Sequence, residues 1–202
     1  MYPGERFNTC THLFGLVLAV LGLPMMLAKT LPGGDAAKIA GALVFALSCV
    51  ALYGASTLFH SARGEAKLRW QRVDHCAIYL LIAGSYTPFA LVTLQGAWGW
   101  MLLAAVWSIA AFGILRELRS AAGPSLALYI SMGWVGVAAA APLVAQLEAG
   151  GLVWLLVGAV LYTAGTIFYV NRAGYRHAHG LWHLFVLGGT ASHYAAIAGF
   201  VV

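Results

Sequence analysis

Residues 75–115 read HCAIYLLIAGSYTPFALVTLQGAWGWMLLAAVWSIAAFGIL, without a single Asp, Glu, Lys or Arg. A transmembrane helix needs about 20 mostly apolar residues, so this run is long enough for two of them. Gln95-Gly96 lies near its middle and is the natural place for a turn, because a polar residue followed by glycine interrupts an apolar helix. The stretch therefore predicts two consecutive membrane-spanning helices joined by a tight turn.

The rest of the chain has the same apolar character. Of its 202 residues, 62% are hydrophobic and only 8% are charged, whereas a soluble domain carries about 25% charged residues. A soluble domain needs charge to cover its surface, and the composition also excludes a disordered or collagen-like chain. The sequence therefore predicts an integral membrane protein whose outer surface faces lipid.

Seven apolar runs of sufficient length follow one another along the sequence. The predicted spans are 9–31, 39–60, 74–94, 97–115, 124–143, 152–171 and 179–202. The connections between them are short, so there is no room for a separate soluble domain. We expect one all-α domain over residues 1–202, a seven-transmembrane helix bundle.

The basic residues predict the orientation of this bundle. With seven spans, the N-terminus shares one side of the membrane with the second, fourth and sixth connections. Only Lys29 and Lys38 of the 11 Lys and Arg residues fall on the other side. The positive-inside rule then predicts a cytoplasmic N-terminus, an outside C-terminus and a multi-pass protein of the plasma membrane.

The net charge of +5 follows from this asymmetry and is a sign of topology. It is a poor argument for nucleic-acid binding, so no nucleic-acid partner is expected. The charge could also attract anionic lipid headgroups, and the oligomeric state is left open.

Seven histidines are unusual in so apolar a chain, because imidazole is costly in hydrocarbon without a polar partner. In the predicted orientation, His60 ends the second span and Asp74 begins the third, both at the cytoplasmic side. His179 and His183 begin the seventh span at that same side. Four polar residues that are distant in sequence are therefore expected at similar depth.

The spacing of His179 and His183 favours a metal site. Residues four apart lie on one face of a helix, about 6 Å from each other, and two such histidines can hold a metal. His60 is the best candidate for a third ligand, which would leave one position open for water. Zinc suits imidazole donors, whereas magnesium and calcium prefer more oxygen ligands. Ser56, one turn before His60, could place its hydroxyl beside such a site.

Each of these residues also has a plain structural interpretation. A lone HxxxH pair is a weak sign of metal binding, and His60 alone could be an interface residue or a helix cap. Asp74 alone could be the N-cap of the third helix. The combination at one depth favours a metal site over these separate explanations.

The other four histidines are not expected to bind the metal. We interpret His75 and His177 as residues just outside the membrane and leave them out of the site. His193 lies roughly 15 Å deeper than His183 and is expected to be buried and hydrogen-bonded within the bundle. His12, near the inner end of the first span, is expected either to line the site or to mark the interface.

Three blocks of sequence resemble the haemolysin III family, the bacterial branch of the progestin and adipoQ receptor family, whose animal relatives are the adiponectin receptors. The first block is ERFNTCTHLFG at 5–15. The second is STLFH at 56–60, followed by DHCAIYLLIAGSYTP at 74–88. The third is HGLWHLFVLGGTASH at 179–193. Together the blocks fall in the first, second, third and seventh predicted spans.

The resemblance implies a zinc ion near the cytoplasmic face, held by His60, His179 and His183. It also implies that Asp74 and Ser56 lie close to the water bound to this zinc. The family belongs to a wider group of membrane hydrolases that includes alkaline ceramidases, and ceramidase activity has been proposed for the animal receptors.

The leading interpretation is a zinc-dependent hydrolase that acts on an amide or ester bond of a lipid near the cytoplasmic face. Three neutral histidines would leave the charge of zinc undiminished, so the pKa of its bound water would fall from about 15.7 towards 7. Asp74 would act as general base, and Ser56 would hydrogen-bond the water or the developing oxyanion.

Two other functions fit the same residues. The first is a non-enzymatic zinc-containing membrane protein that modulates membrane, ion or energy homeostasis, with a structural zinc and Asp74 on an ion path. The second is haemolysin-type cytolysis, as in the family name. It is disfavoured because a secreted toxin must stay soluble before insertion, and this chain has too little polar surface for that.

Overall fold

The structure, a computed structural model, describes residues 1–119 and 123–202, and every regular element in these ranges is helical. The α-helices are α1 (Glu5–Thr30), α2 (Ala36–Ser61), α3 (Gly64–Pro88), α4 (Gly96–Arg119), α5 (Leu126–Gly133), α6 (Ala140–Gln146), α7 (Ala149–Val170) and α8 (Ala178–Phe200). A 3-10 turn at Leu31–Gly33 follows α1, and another at Val135–Ala139 joins α5 to α6. A π-helical turn at Phe89–Leu94 extends α3.

These helices make seven membrane-length segments. The fifth predicted span is not one continuous helix, because the 3-10 turn interrupts it between α5 and α6. Six segments are long and apolar enough to cross a membrane. The seventh, α8, has 23 residues but is less apolar, since three histidines lie within it. The predicted seven-helix, all-α bundle is confirmed for the described residues, and its orientation stays a prediction.

The ends of the helices differ from the predicted spans at one important place. α3 begins at Gly64, well before residue 74, because the polar segment 64–73 continues the helix beyond its apolar part. Asp74 therefore lies inside α3, and its interpretation as an N-cap is wrong. The predicted turn at Gln95-Gly96 is confirmed, since both residues have a φ of 47° and Gln95 separates the π-helical turn from α4, which begins at Gly96.

α2 and α3 form the centre of the bundle. More than half of the apolar window of each is buried, 56% for α2 and 61% for the segment that contains α3. α1 and α3 pack on α2, α4 packs on α3, and α8 packs on both α7 and α1. Apolar side chains such as Phe14, Met25 and Ile167 point outward, as expected for a surface in lipid.

Gly41 lets α2 approach the backbone of α3. A Cβ atom at this position would lie 2.9 Å from the Cα of Pro88, which cannot rotate away. We expect Gly41→Ala to push the two helices apart and to lower the unfolding temperature in detergent by roughly 3–8 °C. Gly54→Ala is the matched control in the same helix, because its Cβ would lie 3.9 Å from the flexible Leu16 side chain. Equal unfolding temperatures for the two variants would contradict this close approach.

Candidate metal centre

Three imidazoles come together where α2 ends and α8 begins. The ring centroids of His60, His179 and His183 lie 4.6–5.0 Å apart. Each ring offers one nitrogen, and these nitrogens lie within 4.8 Å of one another. His60 and His183 are buried and His179 is partly buried. The three residues predicted as ligands therefore form a group that could hold a metal ion.

Local helix geometry explains how this group forms. His179 and His183 occupy the first two turns of α8, where the i, i+4 spacing puts both rings on one face. His60 lies in the last turn of α2. Because α1 packs between the two helices, its first turns can contact both sides of the histidine cluster.

A carboxylate of α1, which the sequence argument did not assign to the site, fixes the ring of His60. Oε2 of Glu5 lies 2.6 Å from Nδ1 of His60 and accepts a hydrogen bond from Asn8 at 2.8 Å. Its Oε1 accepts from Nζ of Lys67, also at 2.8 Å. An ionised carboxylate only accepts, so Nδ1 carries the proton and Nε2 is left free. That Nε2 is buried without a hydrogen-bond partner in the described residues.

α1 fixes His183 in a similar way. Nδ1 of His183 lies 3.1 Å from the carbonyl oxygen of Asn8 and 3.0 Å from the hydroxyl of Thr11. Since a carbonyl only accepts, Nδ1 carries the proton here too, and Nε2 remains available to a metal. The ring of His12 stacks on that of His183, with centroids 3.5 Å apart.

The donor chemistry of the cluster fits zinc. Imidazole nitrogens are common zinc ligands, and a carboxylate behind a ligating histidine recurs in zinc proteins. Two nitrogens bound at 2.0–2.1 Å to a tetrahedral ion lie about 3.3 Å apart, so small side-chain rotations would close separations of up to 4.8 Å. The unpartnered Nε2 of His60 is unfavourable in so apolar a place unless a metal or a similar group satisfies it.

Glu5 is expected to raise the metal affinity of the cluster. Glu5→Gln keeps the size of the side chain but removes the charge that orients His60, and we expect metal affinity to fall about 10–100-fold. Competition with a chelator of known affinity, followed by elemental analysis, measures this. Glu65→Gln is the control, because Glu65 is exposed at the start of α3. Unchanged affinity in Glu5→Gln would show that Glu5 serves only to hold Lys67.

A cavity of about 570 Å³ lies beside the cluster, within the size range of small-molecule sites. Most of its wall is apolar. Polar residues line it on the side where α3 and α8 begin: His12, Ser56, Gln71, Asp74, His75, His179 and His183. The cavity therefore joins two of the clustered histidines to a large apolar space inside the bundle.

The same cavity reaches the outer surface between the fifth span and α7. Trp134, Val137 and Leu156 line it and are also exposed on the outside of the bundle. Nε1 of Trp134 donates a hydrogen bond to Oγ1 of Thr163 at 3.2 Å, which links the two segments. A hydrophobic molecule thus has a continuous apolar route from the lipid-facing surface to the histidines.

Both residues predicted to be catalytic line this cavity. Asp74 is 8% exposed, and the hydroxyl of Ser56 lies against its carboxylate. Ser56 is fully buried where α2 packs on α3. The carboxylate and the hydroxyl therefore face the same cavity, and the catalytic roles of both residues stay a prediction.

Two of the remaining histidines differ from expectation. His75, which the sequence argument left out of the site, lines the cavity, and its Nδ1 lies 2.7 Å from Oε1 of Glu117 in α4. His193 is buried as predicted, with its ring edge against Tyr162, but its nitrogens have no hydrogen-bond partner in residues 1–119 and 123–202. His177 is exposed. The sequence argument did not assign Glu117 to the site. Its one sign in the sequence is that an acidic residue stands beside Arg116, just after the predicted span 97–115.

The fold and the site together define a class: an integral membrane bundle with a group of three histidines that could bind a metal, at one end of an apolar cavity. The chain belongs to the haemolysin III family, because the family model described as haemolysin-III related matches residues 2–194. The family resemblance noted in the sequence is thereby confirmed, and family and fold agree on a multi-pass membrane protein.

Relatives of known name cover nearly the whole chain. Hemolysin-3 of Bacillus cereus is 38% identical over 203 residues, which is 98% of this chain and 92% of the relative. The Hemolysin-3 homolog of Bacillus subtilis (strain 168) is 38% identical over 202 residues, covering 98% and 94%. The human monocyte to macrophage differentiation factor is 28% identical over 200 residues, covering 94% and 81%. No solved structure matches the chain at a significant level.

Proposed function

We propose that this protein is a zinc-dependent membrane hydrolase that cleaves an amide or ester bond of a lipid, similar in its reaction to a ceramidase. One observation carries the proposal: Asp74, Ser56, His179 and His183 line a cavity that also reaches the lipid-facing surface. A carboxylate and a group of potential metal ligands thus share one space with room for acyl chains.

Different residues of the chain have different roles in the proposed hydrolysis. Zinc held by His60, His179 and His183 would supply a Lewis acid that acidifies water and polarises the scissile carbonyl. Asp74 takes the proton of the attacking water, because its carboxylate lines the cavity beside the potential metal ligands. Ser56 donates a hydrogen bond to the oxygen on which negative charge develops.

Three further features support a catalytic site rather than a structural one. The metal-binding group has three members in the described residues, and three protein ligands with an open fourth position are typical of catalytic zinc. The apolar wall suits acyl chains, which would place the scissile bond at the polar side. The exposed lining residues Trp134 and Val137 let a lipid arrive from the membrane without crossing water.

We also propose that the site lies at the cytoplasmic face of the bacterial inner membrane. The basic residues Arg116 and Arg119 end α4, and Lys67 lies in the first turn of α3. All three belong to the end of the bundle that carries the histidine cluster, and the positive-inside rule assigns such an end to the cytoplasm. Accessibility labelling of a cysteine introduced at Arg63 in intact cells tests this orientation.

Release of fatty acid by the purified protein tests the activity. Protein in liposomes is given an N-acyl sphingoid amide and a phospholipid ester, and the free acid is measured by mass spectrometry. We expect release that 1,10-phenanthroline abolishes and added zinc restores. A protein that holds about one zinc per chain but releases no acid from either lipid would overturn the proposal. Ion flux in the same liposomes, sensitive to Asp74, would then support the non-enzymatic alternative.

A further inference from the structure

We propose that His75 is a further catalytic residue of this cavity and that Glu117 positions it. In this assignment the imidazole gives a proton to the leaving nitrogen or oxygen as the lipid bond breaks. The inference rests on the proposed function, since it assigns one step of the same reaction to a second pair of side chains.

The pair consists of the buried carboxylate of Glu117 and the more exposed imidazole of His75. Glu117 is 4% exposed, near the end of α4. Its Oε1 lies 2.7 Å from Nδ1 of His75, while its Oε2 is buried without a partner in the described residues. A charged carboxylate buried inside a membrane bundle is unfavourable unless a cation or a hydrogen-bond donor pairs with it. His75 is that partner, and unlike Glu117 its side chain is 13% exposed.

The surrounding tyrosines hold the pair in place. The hydroxyl of Tyr129 donates a hydrogen bond to the carbonyl oxygen of His75 at 3.0 Å, which ties α5 to this turn of α3. The rings of Tyr79 and Tyr129 pack with centroids 4.5 Å apart. Because Nδ1 of His75 is hydrogen-bonded to Glu117, Nε2 is the nitrogen that can interact with a molecule in the cavity. It makes no hydrogen bond within the described ranges of the chain.

The position of His75 suits an acid. It follows Asp74 directly, and both line the cavity together with His179 and His183. Hydrolysis needs two proton transfers: one group takes a proton from water, and another gives one to the leaving group. Asp74 and His75 are neighbouring groups that can divide these transfers beside the candidate metal centre.

The proton balance of the proposed step closes. Nε2–H of the protonated ring transfers its proton to the leaving nitrogen while the C–N bond breaks, and the bonding electrons stay on that nitrogen. Glu117 stabilises the positive charge that the ring carries before the transfer. The neutral ring then regains the proton that the attacking water gave to Asp74. The products are a carboxylic acid and an amine, and no proton is gained or lost.

Two substrates with the same acyl chain test this step. The leaving group of an N-alkyl amide must be protonated, whereas that of a 4-nitrophenyl ester departs as a stable anion. We expect His75→Gln to lower kcat for the amide about 100-fold and to change kcat for the ester less than about threefold. Glu117→Gln keeps a hydrogen bond but removes the charge, and we expect an amide-specific loss of about tenfold.

Controls separate loss of the acid from other effects. His177→Gln replaces an exposed histidine at the same end of the bundle and should leave both rates unchanged. Elemental analysis should find the zinc content of every variant equal to that of the wild type. If His75→Gln does not fold, the rates of Glu117→Gln on the amide and the ester test the inference.

Two results would overturn the inference in different ways. Equal losses on the amide and the ester at unchanged zinc content, or wild-type rates in His75→Gln, would show that the pair only ties α3 to α4. A wild-type protein that cleaves neither substrate would remove the proposed function and this step with it. The inactivity of the wild type distinguishes the second result from the first.

Discussion

His60→Ala is expected to reduce the bound metal from about one ion per chain to nearly none. The nitrogens of His60, His179 and His183 lie within 4.8 Å of one another, so each would supply one of three protein ligands to the proposed metal. Without His60 the ion would keep two ligands from a single helix, and the charge of Glu5 would lose one of its partners. Both effects weaken binding, because the ligand and its orienting carboxylate act together.

Elemental analysis of purified protein measures this loss. His183→Ala should lose the metal as completely as His60→Ala, whereas His177→Ala should retain it, since His177 is exposed. Added zinc should raise the unfolding temperature of the wild type and not that of His60→Ala, because a ligand stabilises only the state that binds it. Full metal content in both ligand variants would place the metal elsewhere and contradict the assignment.

Asp74→Asn is expected to lower kcat for lipid hydrolysis by about 10²–10⁴-fold while the zinc content stays unchanged. Asparagine has nearly the same size and polarity, so the cavity wall should be preserved. It cannot take the proton of the attacking water, which is the role assigned to Asp74. Asp74 does not belong to the three-histidine group, so metal binding should not depend on it.

Asp35→Asn provides the matched control for this substitution. Asp35 is exposed and caps α2 at the opposite end of the bundle, where its side chain accepts from the backbone of Ala37 and Lys38. Asparagine is an equally good N-cap, so both activity and stability should be preserved. Full activity in Asp74→Asn would exclude Asp74 as the base. Loss of zinc together with activity would instead make Asp74 a support of the metal.

The local part of the histidine cluster could be predicted because it follows from helix geometry. The i, i+4 spacing brings His179 and His183 together whichever helices surround them. His60 could be added because counting the spans places the end of the second and the start of the seventh at the same depth. Neither argument needs to know which helices are neighbours.

The carboxylates behind the histidines could not be predicted. Glu5 meets His60 across 55 residues, and Glu117 meets His75 across 42. Such contacts depend on which helix faces pack together. In a membrane protein the lipid-facing and buried faces are both apolar, so the sequence pattern does not tell them apart.

The position of Asp74 shows a second limit of hydropathy. An apolar run marks the part of a helix that lies in lipid, whereas α3 continues through the polar residues 64–73. The carboxylate expected at the start of the helix therefore lies inside it, where the backbone holds it rigidly. The interruption of the fifth span by its 3-10 turn at Val135–Ala139 was missed for a related reason, since the residues there are as apolar as a continuous helix would be.

The hydrogen bond between Thr11 and His183 joins residues 172 apart, so α1 is synthesised long before α8. α1 holds the supports of the cluster, and α8 brings two of its three imidazoles. During synthesis, Glu5 and His60 can meet as soon as α2 is inserted, but the three-histidine group is complete only after α8 has been made. A metal ion could then be captured only at that stage, so a nascent chain that stalls before α8 would carry no ion at this group.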